Sequence, residues 1–259
     1  MPHPINSSHK PHERSILRSA IYGGYSAYAA LLLTLFVPLA LIGAIGMPTL
    51  RMRRASARWV ARNFLRCAGM RLKLIGAQRL PAAQCVVVAN HASYLDGLVM
   101  TAVLPPRFAY VVKREMDGVP FAGLLLRRLG TEFVERFNRH KGAADARRVL
   151  RTATGGQSMV FFPEGTFGDD PGVLKFHNGA FATAVRAACP IVPVAIRGSR
   201  RVMSSRFPRL QPGLIEVIVL TPLSNEGAVQ GHVEHFAVSL RDRARAMILA
   251  EVDEPDALA

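Results

Sequence analysis

The polarity of the chain changes in stages. Residues 1–18 are polar, rich in His and Pro, and read as a poorly ordered tail. From Ser19 to Leu50 no charged residue interrupts 32 positions, more than the roughly 20 residues a helix needs to cross a bilayer. The run exceeds a signal-peptide core and lacks a convincing cleavage site. Pro38 and Pro48, with Gly43 and Gly46, leave two shapes open: one tilted, kinked helix, or a helical hairpin that dips in and returns on the same side. Next, Arg51 to Arg79 carries nine basic residues and no acidic one. Within it Arg54, Arg58, Arg62 and Arg66 recur every four positions, with Trp59 among them. That spacing predicts an Arg-rich interfacial helix over residues 51–70, lying on anionic lipid.

Beyond Gly69 short apolar runs alternate with helical patterns. Strands are predicted at Arg71–Ile75, Cys85–Ala89, Phe108–Lys113, Glu132–Glu135, Met159–Phe162, Ile191–Arg197 and Leu214–Leu220. Helices are predicted at Tyr94–Val103, Phe121–Leu129, Ala143–Ala153 and Ala180–Ala188, and a last one at Val233–Val252 after a polar break. Such alternation implies an α/β fold, a largely parallel sheet with helices on its faces. It divides the chain into an α/β domain at 71–223 and a C-terminal helical extension at 224–259. In such sheets chemistry gathers at the carboxyl ends of the strands.

Composition narrows the class. At 259 residues one sizeable core can form. A net charge of +15 calls for an acidic partner: nucleic acid, an anionic membrane surface or anionic substrates. Cys67, Cys85 and Cys189 are scattered in apolar contexts, and neither a Cys-x-x-Cys nor a His cluster occurs, so no metal site is expected. No nucleic-acid motif accompanies the charge. The positive-inside tendency places the basic side, and the domain behind it, in the cytoplasm, at an inner membrane if the source is bacterial.

Two turns concentrate the chemistry. After the buried run Cys85–Ala89 come Asn90, His91, Ser93 and Asp96. Ser93 has the spacing of a helix N-cap, and Asp96 in the first helical turn can hold one imidazole nitrogen while the other faces outward as a base. Taken alone, the pair also fits a capping acid beside a turn imidazole. The second turn, Phe162-Pro163-Glu164-Gly165-Thr166, displays Glu164 at a strand end, where it can accept hydrogen bonds from substrate hydroxyls. Gly130 to Arg136 delivers Arg136 as a candidate anion contact. Pro193, inside a strand, suggests an edge or irregular position beside an apolar cleft.

In this order and spacing the residues resemble the glycerolipid acyltransferases typified by 1-acylglycerol-3-phosphate acyltransferases. The family's Asn-His-x-Ser-x-x-x-Asp block, in its loosest form, matches Asn90, His91, Ser93 and Asp96. Its Gly-x-x-Phe-x-x-Arg block matches Gly130, Phe133 and Arg136, and Phe-Pro-Glu-Gly-Thr is unchanged at Phe162–Thr166. Val192-Pro193 supplies the last block, and Lys113-x-Glu115 with Pro120-Phe121 and Gly123 also fits. The resemblance covers roughly Arg71 to Pro222 and implies a seven-stranded mixed sheet with flanking helices and an N-terminal membrane motif.

The resemblance also implies roles. His91, steadied by Asp96, would deprotonate an acceptor hydroxyl that attacks the thioester of acyl-CoA or acyl-carrier protein. Arg136, Glu164, Gly165 and Thr166 would position a lysophosphatidate acceptor, with Lys113 and Lys175 as further cations. No cofactor beyond the acyl donor is implied. Two departures bear on the headgroup: Phe167 stands where many members keep Arg, and His177 where they keep Lys. Rival readings are acylation of another lysolipid, such as a lyso-ornithine lipid or a lysophospholipid, and a non-enzymatic basic membrane protein binding lipid or nucleic acid.

Overall fold

The computed structural model describes residues 11–135, 139–203, 210–225 and 233–258. Its first helix, α1 (Pro11–Gly46), runs unbroken through Pro38 and begins inside the stretch expected to be a tail. Gly23–Gly46 is long and apolar enough to cross a membrane, with a mean hydropathy of 2.4. After a short turn, α2 (Leu50–Cys67) starts at Thr49, whose hydroxyl accepts the Met52 N–H at 3.2 Å. The two helices return antiparallel. At one end Tyr25 and Tyr28 donate to the carbonyls of Ala68 and Cys67. At the other, Gly43 lies so close to Ser56 that a Cβ there would meet Ser56 Oγ at 1.9 Å. The hairpin is therefore built from the apolar run and the Arg-rich helix together, not within residues 19–50.

The sheet follows as β1 (Met70–Ile75), β2 (Val86–Ala89), α3 (Asp96–Val103), β3 (Phe108–Lys113), α4 (Ala122–Arg128), β4 (Glu132–Val134) and α5 (Arg139–Thr154). The chain continues through β5 (Ser158–Phe161), α6 (Gly179–Arg186), β6 (Ile191–Arg197), α7 (Ser199–Val202), β7 (Gly213–Val219) and α8 (Val233–Leu249). Strand order is β1-β7-β6-β2-β5-β3-β4. From β6 to β4 all pairs are parallel. β7 runs antiparallel to β6 and takes β1 with it, so the sheet is mixed and largely parallel, as expected.

Val87 and Ala89 face α2 and α3, whereas Val86 and Val88 face α6 and α8. All four are fully buried, which is why β2 reads as a continuous apolar run without alternation. Covering both faces has two consequences for the expected domain limits. The Arg-rich helix is a core layer: Ala57, Ala61, Phe64 and Leu65 of α2 are buried. The C-terminal helix is no appendage either, since Ala237, Leu240, Ala244 and Ile248 of α8 close the second face.

The arginine stripe divides accordingly. Arg54 is only 8% exposed. Its guanidinium donates to Leu129 O at 2.8 Å and Gly130 O at 3.4 Å, the carbonyls ending α4, and to Arg107 O and Gln157 Oε1. Arg58 donates to Ala102 O and Val103 O at the end of α3, at 3.3 and 3.2 Å. Each arginine thus caps a helix C-terminus, where cations meet unpaired carbonyls and the negative dipole end. Trp59, Arg62 and Arg66 remain exposed. A step of four residues overshoots a 3.6-residue turn by about 40°, so the row swings roughly 120° from Arg54 to Arg66, from core to solvent.

Candidate active site

The carboxyl ends of β2, β5 and β3 are neighbours, so the turns leaving them meet. Asn90 ends β2. Its side-chain amide donates to Ile196 O at 3.0 Å and accepts from Ile196 N at 2.7 Å, extending the ladder to β6 after the backbone has turned away. His91 follows, with its side chain 20% exposed. Asp96 is fully buried, and its Oδ2 accepts from Ala92 N at 2.7 Å, Ser93 N at 2.8 Å and His91 Nδ1 at 2.9 Å. A carboxylate only accepts, so Nδ1 carries the hydrogen and Nε2 is the free base. Ser93 is not the helix cap expected of it. The helix opens at Asp96, and the Ser93 hydroxyl accepts from Leu95 N and donates to Met203 O at 2.7 Å, tying the turn to the segment after α7.

Glu164 lies behind this turn rather than before a substrate. It is 3% exposed, and its two oxygens accept His91 N at 2.6 Å and Leu174 N at 2.7 Å. It braces the backbone of the candidate base. Burial, opposed by these two amides, pushes its carboxyl up to about 7 from an ordinary 4.5. A raised acid binds its proton more tightly folded than unfolded, so its stabilising effect is complete in acid and is lost as pH rises from 4.5 through 7. Glu164→Gln should flatten that dependence. Between pH 4.5 and 7.5 the native protein should lose on the order of 3 kcal/mol relative to the variant, read by thermal unfolding at both pH values. Parallel pH profiles would show that Glu164 does not titrate in this window.

Around the imidazole the walls are aromatic. Phe162 stacks on His91 at 4.4 Å, Phe167 meets it edge-on at 4.4 Å, and Tyr94 packs against Phe167 at 4.8 Å. A cavity of about 420 Å³ begins here, with Gly165, Thr166 and Lys113 in its wall. It continues between β3 and helices α2, α3 and α4, past Leu98, Ala61 and Leu125, to Arg54 and Leu129. Its depth follows from register: Tyr110, in the wall, pairs with Val160, which pairs with Val87, four residues before His91. At ~3.3 Å per residue Tyr110 lies about 13 Å below the imidazole.

The other expected residues fall elsewhere. Lys175 is exposed and borders a second hollow of about 360 Å³ formed with Arg241 and Arg245 of α8. Pro193 is buried on β6, an interior strand, and is absent from both linings. It is tolerated there because its carbonyl takes Leu220 N while the β6–β7 ladder starts only at Val194, so the missing N–H lies beyond the ladder's end. Arg136 lies outside the described residues. The aromatic walls and the cavity have no spacing of their own in the sequence, where Phe162 stands only as part of a motif and Phe167 only as a departure from the expected Arg.

A largely parallel mixed sheet with an Asp-held imidazole at its strand ends, beside a long and mostly apolar cavity, defines the class of this protein by fold and site. Comparison with known proteins gives that class a family. A family model described as Acyltransferase matches residues 71–197. The 1-acyl-sn-glycerol-3-phosphate acyltransferase alpha of Homo sapiens is 30% identical over 92% of this chain and 81% of its own. The Mus musculus protein of the same name is 36% identical over 67% of this chain. The match spans about three fifths of the length of that mouse protein and of its Saccharomyces cerevisiae relative. The crystal structure of the 1-acyl-sn-glycerophosphate acyltransferase of Thermotoga maritima has the same fold, with a TM-score of 0.69 over 91% of this chain and 98% of that one, at 20% identity. The chain belongs to the glycerolipid acyltransferase family of the 1-acylglycerol-3-phosphate acyltransferase kind.

Proposed function

We propose that this protein is a membrane-associated O-acyltransferase of phospholipid biosynthesis. It moves a fatty acyl group from acyl-CoA or acyl-carrier protein to the free hydroxyl of lysophosphatidate. The observation that carries this reading is the cavity that starts at His91 and runs apolar-walled for more than 10 Å, roughly, by strand register. Burying an alkyl chain there contributes about 0.8 kcal/mol per methylene, enough to hold a long acyl group with its thioester beside the imidazole.

In the proposed reaction His91 Nε2 takes the proton of the acceptor hydroxyl while its oxygen attacks the thioester carbonyl. The carbon–sulfur bond breaks, the thiol leaves and takes up the proton, and an ester remains. Asp96 keeps Nδ1 protonated and stabilises the imidazolium. Glu164 holds the backbone of the base in place. Lys113, exposed in the cavity wall, and Arg136 supply cations for the phosphate. The exposed apolar face of α1 (Leu31, Leu35 and Ile42) sits in the bilayer, with Arg62 and Arg66 towards anionic headgroups and the domain on the cytoplasmic side.

A second acceptor class is favoured by one observation. Phe167, packed against both His91 and Tyr94, puts a ring rather than a cation beside the base. A lysolipid with a larger headgroup, such as a lyso-ornithine lipid or a lysophospholipid, would lose less by that change. The test is thiol release by the solubilised protein offered acyl-CoA or acyl-carrier protein with a panel of lysolipids. Lysophosphatidate-dependent release is expected. Release only with another lysolipid would move the assignment to that class, and none with any acceptor would overturn the enzymatic reading.

A further inference from the structure

The turn between β3 and α4 ends in an apolar tip that no part of the described fold covers. Gly118, Val119, Pro120 and Phe121 are all exposed. Phe121, at 67%, matches Ile42 of α1 as the most exposed large hydrophobic side chain among the described residues. Its backbone adds a second cost. With φ +60° and ψ −45°, it occupies a region that a bulky residue rarely enters.

This is not a slack loop. Ala122 N bonds Pro120 O at 2.6 Å and Gly123 N bonds Val119 O at 2.8 Å. Arg127 donates to the carbonyl of Asp117 at 3.1 Å and pairs with its carboxylate. At Gly123 a Cβ would meet Asp117 O at 2.1 Å, so the turn closes only around glycine. The fold sustains backbone strain in order to hold an aromatic ring in the open. Water rewards neither feature.

We infer that Val119–Pro120–Phe121 is a membrane-inserting tip, with the Phe121 ring seated among the acyl chains of the leaflet that receives α1. Continuity favours lipid as the occupant: α4 packs against α1, whose uncovered side carries Leu31, Leu35 and Ile42. Position favours it too. Met116 and Ala122, on either side of the tip, both belong to the cavity wall, so an inserted tip brings the cavity rim down to the hydrocarbon. An acyl chain could then pass between bilayer and cavity without crossing water. Exposed Lys113, Arg127 and Arg128 flank the tip, where headgroup phosphates would lie.

The inference rests on the membrane-associated reading, and the test separates the two. In the full chain carrying Trp59→Phe and Phe121→Trp, the introduced indole is the only one. It is mixed with phosphatidylglycerol–phosphatidylethanolamine vesicles brominated on the acyl chains. Vesicle binding with at least about half of the emission quenched is expected, while the same indole placed by Leu74→Trp on β1 stays unquenched. Binding without quenching at position 121 would overturn the inference and leave the membrane reading intact; no vesicle binding would overturn both. Phe121→Gly, which relieves the backbone, should lower turnover on vesicle-embedded acceptor about tenfold. It should leave turnover on short-chain, water-soluble acceptor and donor unchanged. Equal loss in the two settings, or no loss in either, would also overturn it.

Discussion

His91→Ala should abolish acyl transfer while leaving the fold and vesicle binding nearly intact. Loss of a positioned general base costs about 10²–10⁴ in rate. The imidazole is a partly exposed side chain in a turn, not a core filler, and its main fixed polar partner is Asp96. The backbone amide that Glu164 grips belongs to residue 91 whatever its side chain, so the brace survives the substitution. Asp96→Asn should fall by a comparable factor for a different reason. An amide oxygen can still accept from Ala92 N and Ser93 N and hold the turn, but the negative charge that steadies an imidazolium is gone. Single-turnover acylation, with circular dichroism to confirm folding, decides the matter. Near-normal turnover in His91→Ala would end the general-base mechanism.

Arg54→Ala should be the most damaging arginine substitution in α2, through stability and not through lipid. It strips the cap from the end of α4, leaving the carbonyls of Leu129 and Gly130 and the amide oxygen of Gln157 short of a donor in a buried setting. Unsatisfied buried acceptors cost about 1–3 kcal/mol each. A loss of roughly 3–5 kcal/mol is expected, which in a chain of this size lowers the thermal midpoint by on the order of 10 °C. Arg62→Ala, at an exposed position of the same row, should change stability by less than ~0.5 kcal/mol and weaken binding to anionic vesicles in a salt-dependent way. Melting and vesicle sedimentation of the two variants separate these roles. Equal behaviour of the pair in both assays would restore the single membrane-facing stripe that the spacing alone suggests.

The motif residues that could be read from the chain are those whose partners lie close in sequence. Asp96 finds His91 across five positions and the Ala92 and Ser93 amides across fewer, so the turn carries its own geometry. Strand positions were legible for a related reason: a strand buried on both faces must be apolar at every position, as Val86 to Ala89 are. The limits of the strands at Phe108–Lys113 and Ile191–Arg197 agree with the pattern to the residue.

What the chain could not announce depends on partners far away in sequence. Glu164 reads as a displayed ligand because Pro-Glu-Gly is a turn. Only the approach of residues 91 and 174 turns it inward and makes it a brace. Arg54 and Arg58 share their spacing with Arg62 and Arg66, and nothing local tells them apart. Their burial is decided by the carbonyl ends of α4 and α3, helices that begin more than thirty residues later. The cavity belongs to no segment, since α2, α3, α4 and β3 each contribute part of its wall. Sequence alone determined the order of the strands, the His91–Asp96 pair and an apolar run long enough to span a bilayer, because periodicity and short-range hydrogen bonding are local. Tertiary structure alone decided which charges are buried, where the cavity lies and which turn braces a backbone instead of facing the cavity, because burial and capping are settled between elements that meet only once the sheet has formed.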